Sequence, residues 1–316
     1  MGNLWPSYRN LLATGELRRR ARRAREMLAA CHVCPRNCGV NRLAGELGFC
    51  VTTHRAIVAS YNDHHGEEPC LTGTGGAGNI FFGSCNLRCA YCQNFPLSHY
   101  RIGKEVTNDR IAGMMLELER RGCHNINFVT PSHVVPQVIE AVTVAAEAGL
   151  QIPIVYNSSG YDSLESLKLL DGIVDIYLPD MKYARNEEGQ RFSKVVDYVN
   201  HNRAAVREMW RQTGELELDE KGIARRGLMI RHLVLPNDLA GTREVLRFIA
   251  AEISPNVTLS LMNQYFPAHK ALKMPELNRK ITVQEYDVAV EQLSGLGLER
   301  GYVQETDYLA PCPQDV

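Results

Sequence analysis

Residues 79–94 read NIFFGSCNLRCAYCQN, a short apolar β-like run that opens directly onto Cys85, Cys89 and Cys92. The spacing is C-x3-C-x2-C, and Tyr91 stands immediately before the third cysteine. Three thiolates on so short a loop can wrap one face of a cubane cluster and leave its fourth iron without a protein ligand. Four cysteines would instead close the cage, as structural zinc also prefers. Outward from this stretch the pattern repeats. Strand expectations fall at 79–83, 126–130, 152–156, 174–178, 228–235 and 257–261. Helical stretches lie near 107–121, 133–148, 162–170, 191–212 and 241–252, with 282–294 after the last strand. Several of the runs are short, apolar and β-branched, as in strands covered on both faces. Six successive strand–helix units predict an α/β protein with a parallel sheet and right-handed crossovers, doubly wound or barrel-like. In either case the chemistry belongs at the C-terminal ends of the strands, where the triad already stands.

Upstream the chain has another character. Residues 7–30 read as one helix with Leu11, Leu12, Leu17, Met27 and Leu28 on a loose apolar stripe and Arg18, Arg19, Arg20, Arg22, Arg23 and Arg25 between them. That basic face is either solvated or a docking surface for an acidic partner. A cysteine-rich segment follows over 31–70, where Pro35, Gly39, Gly45 and Gly48 argue against regular elements. The expected organisation is an N-terminal part over 1–75 and a barrel domain over 76–316. Gly73, Gly75, Gly76 and Gly78 precede a strand and not a helix, so they read as a flexible linker and not a phosphate loop.

Composition narrows the function. The 316 residues are 45% hydrophobic and 22% charged with a net charge of −1, which disfavours a polycation built for nucleic acid or anionic membrane. The first 50 residues nonetheless hold nine Arg against three Glu. No run of 18 apolar residues predicts a membrane span, and no apolar signal core opens the chain, so a cytoplasmic protein is expected. Eight of the ten cysteines fall between Cys31 and Cys92. Such clustering in a reducing compartment points to metal or iron–sulfur ligation and not to disulfides.

The triad loop with its aromatic, placed after the first strand of a β/α chain, resembles the signature of the radical S-adenosylmethionine superfamily. With CHVCPRNCGVNRLAGELGFC at 31–50, the chain looks like the uncharacterised branch related to pyruvate formate-lyase activating enzyme. The resemblance implies a partial (β/α)6 barrel and a 4Fe–4S cluster on Cys85, Cys89 and Cys92. The open iron would chelate S-adenosylmethionine, and reduction would cleave it to a 5′-deoxyadenosyl radical that abstracts a hydrogen. Tyr91 would pack near the adenine. A reductant such as flavodoxin or ferredoxin is implied, together with an activase-like role on a protein substrate. Turnover of a small molecule or peptide is the alternative, and a non-catalytic electron carrier the remote one.

Other strand ends offer cofactor contacts. Thr130-Pro131-Ser132 stands where the superfamily commonly has Gly-Gly-Glu, a departure that leaves Ser132 or the local backbone as substitutes. Asn157, Ser158 and Ser159 suit ribose hydroxyls or a carboxylate, or else cap the next helix. Asp180 and Lys182 in YLPDMKY are similar to the superfamily's Asp-x-Lys stretch and are the candidate catalytic pair. Arg231 and His232 lie in one strand with opposite orientations, so one at most faces the interior. Asn263 and Gln264 are candidate pocket amides. Cys31, Cys34, Cys38 and Cys50 form a C-x2-C-x3-C-x11-C set for a second site, iron–sulfur or zinc, with Cys70 as a spare ligand. Cys123 reads as a core residue and Cys312 as a tail residue.

Overall fold

The strands form where β-branched and aromatic runs are bounded by glycine, proline and polar residues, and the computed structural model, which describes residues 5–305, adds strands at both edges. In chain order the strands are β1 Ala56–His64, β2 Ala77–Phe82, β3 Lys104–Val106, β4 Ile126–Val129 and β5 Ile154–Ser158. There follow β6 Ile176–Pro179, β7 Glu217–Leu218, β8 Ala224–Leu233, β9 Thr258–Met262 and β10 Gly301–Val303. Their spatial order is β10-β9-β8-β6-β5-β4-β2-β1-β3, with β7 beside β8. The six expected strands are β2, β4, β5, β6, β8 and β9, neighbours in that order and parallel. Antiparallel β1 and β3 extend one edge and parallel β10 the other, and the sheet stays open. This is a partial barrel.

The helices are α1 Tyr8–Ala13, α2 Glu16–Glu26, α3 Pro69–Thr72, α4 Phe95–Ser98, α5 Asn108–Arg120 and α6 Val135–Glu147. The second half of the chain adds α7 Leu164–Leu170, α8 Asn186–Ser193, α9 Tyr198–Thr213, α10 Thr242–Phe248 and α11 Val283–Gly295. Alternate strand residues serve two cores. Tyr156 and Tyr177 join the main core with Phe82, Phe128 and the helices, whereas Val155, Ile176, Leu178 and Met229 meet Cys70 and Leu71 of α3 on the opposite face. The N-terminal helices share the main core through Tyr8, Leu17, Met27 and Leu28. Among the described residues no helix is long and apolar enough to cross a membrane.

Four local expectations are corrected. The helix expected over 7–30 is two, broken at Gly15, whose φ of 73° suits a residue without Cβ. The helix expected over 191–212 is also two, because Lys194 and Asp197 both adopt left-handed backbone. The cysteine-rich segment does contain a regular element, since β1 begins at Ala56. Finally, the glycine run is packed and not a free linker: a Cβ on Gly75 would lie 2.1 Å from the Gly122 carbonyl oxygen.

Candidate functional site at the cysteine triad

β2 ends at Phe82, and the chain turns at Gly83 and Ser84 before entering the cysteine loop. Ser84 adopts a φ of 72°, and its hydroxyl donates to the Cys50 carbonyl. Arg88 holds the loop from the side by donating to the carbonyls of Cys85 at 2.9 Å, Leu87 at 3.0 Å and Phe49 at 3.0 Å. Asn86 is fully buried and donates to the Tyr161 carbonyl at 2.8 Å. The loop is therefore fixed by its own side chains, which reach backbone carbonyls of two distant segments, Phe49–Cys50 and Tyr161.

Each sulfur of the triad has a hydrogen-bonding neighbour. The Leu87 amide donates to Cys85 Sγ at 3.3 Å, the Ser193 hydroxyl donates to Cys89 Sγ at 3.0 Å, and Cys92 Sγ lies 3.1 Å from Ser98 Oγ. Burial pushes the Cys85 thiol up to about 12, and the nearby Cys89 adds to the shift. Burial likewise pushes Cys89 up to about 11, opposed by the positive charge of Lys182. Thiols raised this far are protonated at neutral pH, so ligation would release protons.

The structure brings Asp180 and Lys182 to the triad. Lys182 Nζ lies 2.5 Å from Asp180 Oδ2, with both side chains largely buried. Burial alone would lower the Lys182 pKa, but the Asp180 carboxylate, with Cys89 and Cys92 beside it, reverses this and holds the ammonium charged. The Lys182 amide donates to the Tyr198 hydroxyl at 3.1 Å, and that hydroxyl donates to the Ser159 carbonyl at 2.9 Å. The backbone of Asp180 pairs with that of Arg231 on β8, the Met181 amide donating to the Arg231 carbonyl at 2.8 Å, and Arg231 is in register with Ser260 on β9. Arg231 is bound by both Glu67 and Glu68 at 2.5 and 2.6 Å.

The remaining sequence candidates divide by their partners. Tyr91 is buried, and its hydroxyl lies 2.7 Å from that of Tyr183, which in turn lies 2.7 Å from Ser193 Oγ. Tyr91 is thus linked to Cys89 through two hydroxyls. Ser158 is buried and donates to Asp162 at 2.7 Å; Ser132 is buried beside the same carboxyl group. Asn157 is half-buried, and Ser159 keeps a buried hydroxyl with no hydrogen-bond partner among the described residues. His232 is tied to the Met181 carbonyl at 2.6 Å and to Thr242 Oγ1 at 3.0 Å, and burial lowers its pKa to about 4. Asn263 donates to the Glu305 carbonyl at 2.7 Å, while Gln264 accepts from Gln93 through its own carbonyl at 2.9 Å. Cys70 lies in the smaller core and Cys123 in the main one; Cys312 is outside the described residues. Ser193, Tyr183, Ser98 and Arg88 escaped the sequence reading. Only Tyr183, within YLPDMKY, had a local signal.

Among the described residues no three His, Cys, Asp or Glu side chains converge closely enough to hold a single metal ion. The triad nonetheless suits a larger thiolate-bound group. Two of its sulfurs accept hydrogen bonds, the third lies 3.1 Å from Ser98 Oγ, and the buried Lys182 ammonium is electrostatically coupled to Cys89 and Cys92.

No protein-family model matches the chain. The crystal structure of HydG, a maturase of the FeFe-hydrogenase, superposes with a TM-score of 0.51 at 12% identity, covering 73% of this chain and 53% of that one. The chain therefore spans about half the length of that protein. With the open parallel sheet, this likeness defines a partial-barrel α/β fold. Within it, the chain belongs to the family of the uncharacterized protein MJ0674 of Methanocaldococcus jannaschii. The two are 32% identical over 293 residues, covering 88% of this chain and 78% of that protein. A second uncharacterized protein of that organism, MJ0808, is 26% identical over 159 residues, covering 44% of this chain and 46% of its own length.

Proposed function

We propose that the chain is a radical S-adenosylmethionine enzyme whose cluster ligands are Cys85, Cys89 and Cys92. The observation that carries this reading is the triad at the end of the first parallel strand, Cys85 buried and Cys89 and Cys92 partly so, with the Lys182 charge coupled to Cys89 and Cys92. When bound, a 4Fe–4S cluster and S-adenosylmethionine would supply reductive C–S cleavage and a 5′-deoxyadenosyl radical for hydrogen abstraction. The protein's part is to hold and shield. Leu87 and Ser193 donate to two sulfurs, which favours their ionised form. Lys182, kept charged by Asp180, offsets negative charge at the loop and is a candidate contact for a carboxylate. Asn157 and the unpartnered Ser159 hydroxyl are the polar groups at the third parallel strand end that remain for the cofactor. Ser132 and Ser158 would act indirectly, through Asp162. A low-potential reductant such as flavodoxin or ferredoxin would deliver the electron in the cytoplasm.

The resemblance of residues 31–50 and 83–94 to the activase-related branch supports a protein substrate. The Thr130-Pro131-Ser132 stretch in place of Gly-Gly-Glu favours the second reading, a small-molecule or peptide substrate. Anaerobic reconstitution followed by a 5′-deoxyadenosine assay tests the proposal. The wild type should form 5′-deoxyadenosine, and C85A/C89A/C92A should form none. Retained turnover in that variant would overturn the assignment.

A further inference from the structure

The four upstream cysteines are brought to one place by their own backbone. The Cys31 amide donates to the Val40 carbonyl at 2.9 Å and the Gly39 amide donates back to the Cys31 carbonyl at 2.9 Å. A turn closed by the Val51 amide on the Gly48 carbonyl at 3.0 Å carries Cys50 inward. Gly48 packs on Cys38 so closely that a Cβ would sit 3.0 Å from its sulfur. As a result Cys31, Cys34, Cys38 and Cys50 all line one cavity, together with Arg42 and His133.

Arg42 is the second observation. Its side chain is 1% exposed, yet it meets no carboxylate among the described residues. Its guanidinium donates to the Thr53 carbonyl at 2.8 and 3.1 Å and to the His133 carbonyl at 2.9 Å, and it lies 3.7 Å from Cys31 Sγ. A buried cation bonded only to neutral groups is costly. Thiolates of a metal centre would supply the missing countercharge. The four cysteines line one cavity, and both zinc and a cubane accept four thiolates. The position of the cavity against the triad loop favours the cubane.

We propose that Cys31, Cys34, Cys38 and Cys50 hold a second 4Fe–4S cluster whose negative charge is balanced by buried Arg42. The site adjoins the triad loop: Arg36 donates to the Asn86 carbonyl at 2.9 Å, and Ser84 donates to the Cys50 carbonyl. It does not depend on what the triad binds.

The test is metal and sulfide analysis of C85A/C89A/C92A, purified and reconstituted anaerobically. About four irons and four sulfides per chain are expected. One zinc, or neither metal in a folded chain, would overturn the proposal. Should that variant fail to fold, C34A/C38A decides in the presence of the triad. Its iron content should fall by about four per chain from the wild-type value, and an unchanged value overturns the second cluster. In the triad-free background, Arg42→Met should lower the midpoint potential, because the lost cation no longer favours the more negative reduced state. An unchanged potential would overturn the charge-balancing role.

Discussion

The Ser193 hydroxyl donates to the Cys89 sulfur at 3.0 Å, across 104 residues of chain. Ser193 is the last residue of α8, and the next residue, Lys194, takes left-handed backbone that turns the chain away. The backbone repeats the link, because the Arg88 amide donates to the Ser193 carbonyl at 2.9 Å. The end of α8 thereby sets the position of the middle triad cysteine.

Hydrogen bonds to cluster sulfurs withdraw electron density and raise the reduction potential. Ser193→Ala should therefore keep its iron content and show a lower midpoint potential than the wild type. It should also lose about 1–3 kcal/mol of stability, since the Tyr183 hydroxyl beside it loses a partner. Potentiometric titration followed by electron paramagnetic resonance reads the first effect, and an unchanged potential would remove Ser193 from the site.

Asp180→Asn should still fold, because the carboxamide has the same shape and its oxygen can still accept from Lys182. It should slow 5′-deoxyadenosine formation by about 100-fold, which corresponds to about 3 kcal/mol of lost positioning. Single-turnover kinetics would check this. Wild-type rates would leave Asp180 and Lys182 as a structural ion pair with no part in the chemistry.

What the sequence made legible follows from how local each signal is. The six parallel strands are short β-branched runs bounded by turns, and the triad is a contiguous loop, so both were readable. β1 was not, because AIVASYNDH is half exposed and its burial alternates poorly along the strand. The break between α8 and α9 falls at Lys194 and Asp197, where no glycine or proline marks it. Ser193 and Ser98 gain their meaning from sulfurs reached only after folding, and a serine in a helix carries no such signal alone. Arg42 is a similar case, since nothing in NRLAG announces a fully buried guanidinium. Asp180 and Lys182 were legible because they sit two residues apart at a strand end, although their charge coupling to Cys89 was not.

Arg231 presents the plainest energetic dependence. Its guanidinium is paired with Glu67 and Glu68, and both carboxylates are largely buried. Removing the cation leaves two uncompensated charges beside α3. Arg231→Met should destabilise the protein by about 3–5 kcal/mol. Adding Glu67→Gln and Glu68→Gln should recover a large part of that loss. Urea denaturation of the single and combined variants would measure it, and a single-variant loss below about 1 kcal/mol would contradict the pairing.

The pH dependence of stability can be read at Glu285. Arg279 Nη1 and Nη2 donate to its two carboxylate oxygens at 2.7 and 2.8 Å, and the amides of Asn237 and Thr282 donate at 2.7 and 2.8 Å. Thr282 completes the capping box of α11 by accepting from the Glu285 amide at 3.1 Å. The Arg279 hydrogen bonds, only partly opposed by burial, lower the Glu285 pKa to about 2. A carboxyl whose pKa falls on folding stabilises the native state above its unfolded value of about 4.3. That contribution is lost as pH falls from there through about 2. Glu285→Gln keeps the shape but cannot carry the charge, so it should cost about 1–2 kcal/mol at pH 7, in the range of a lost helix cap. The gap between variant and wild type should shrink steadily as the pH is lowered below about 4, because protonation removes the same charge from the wild type. Denaturant titrations at pH 7, 5 and 3.5 would trace it, and a gap that stays constant across that range would show that the charge of Glu285 does not act on folding.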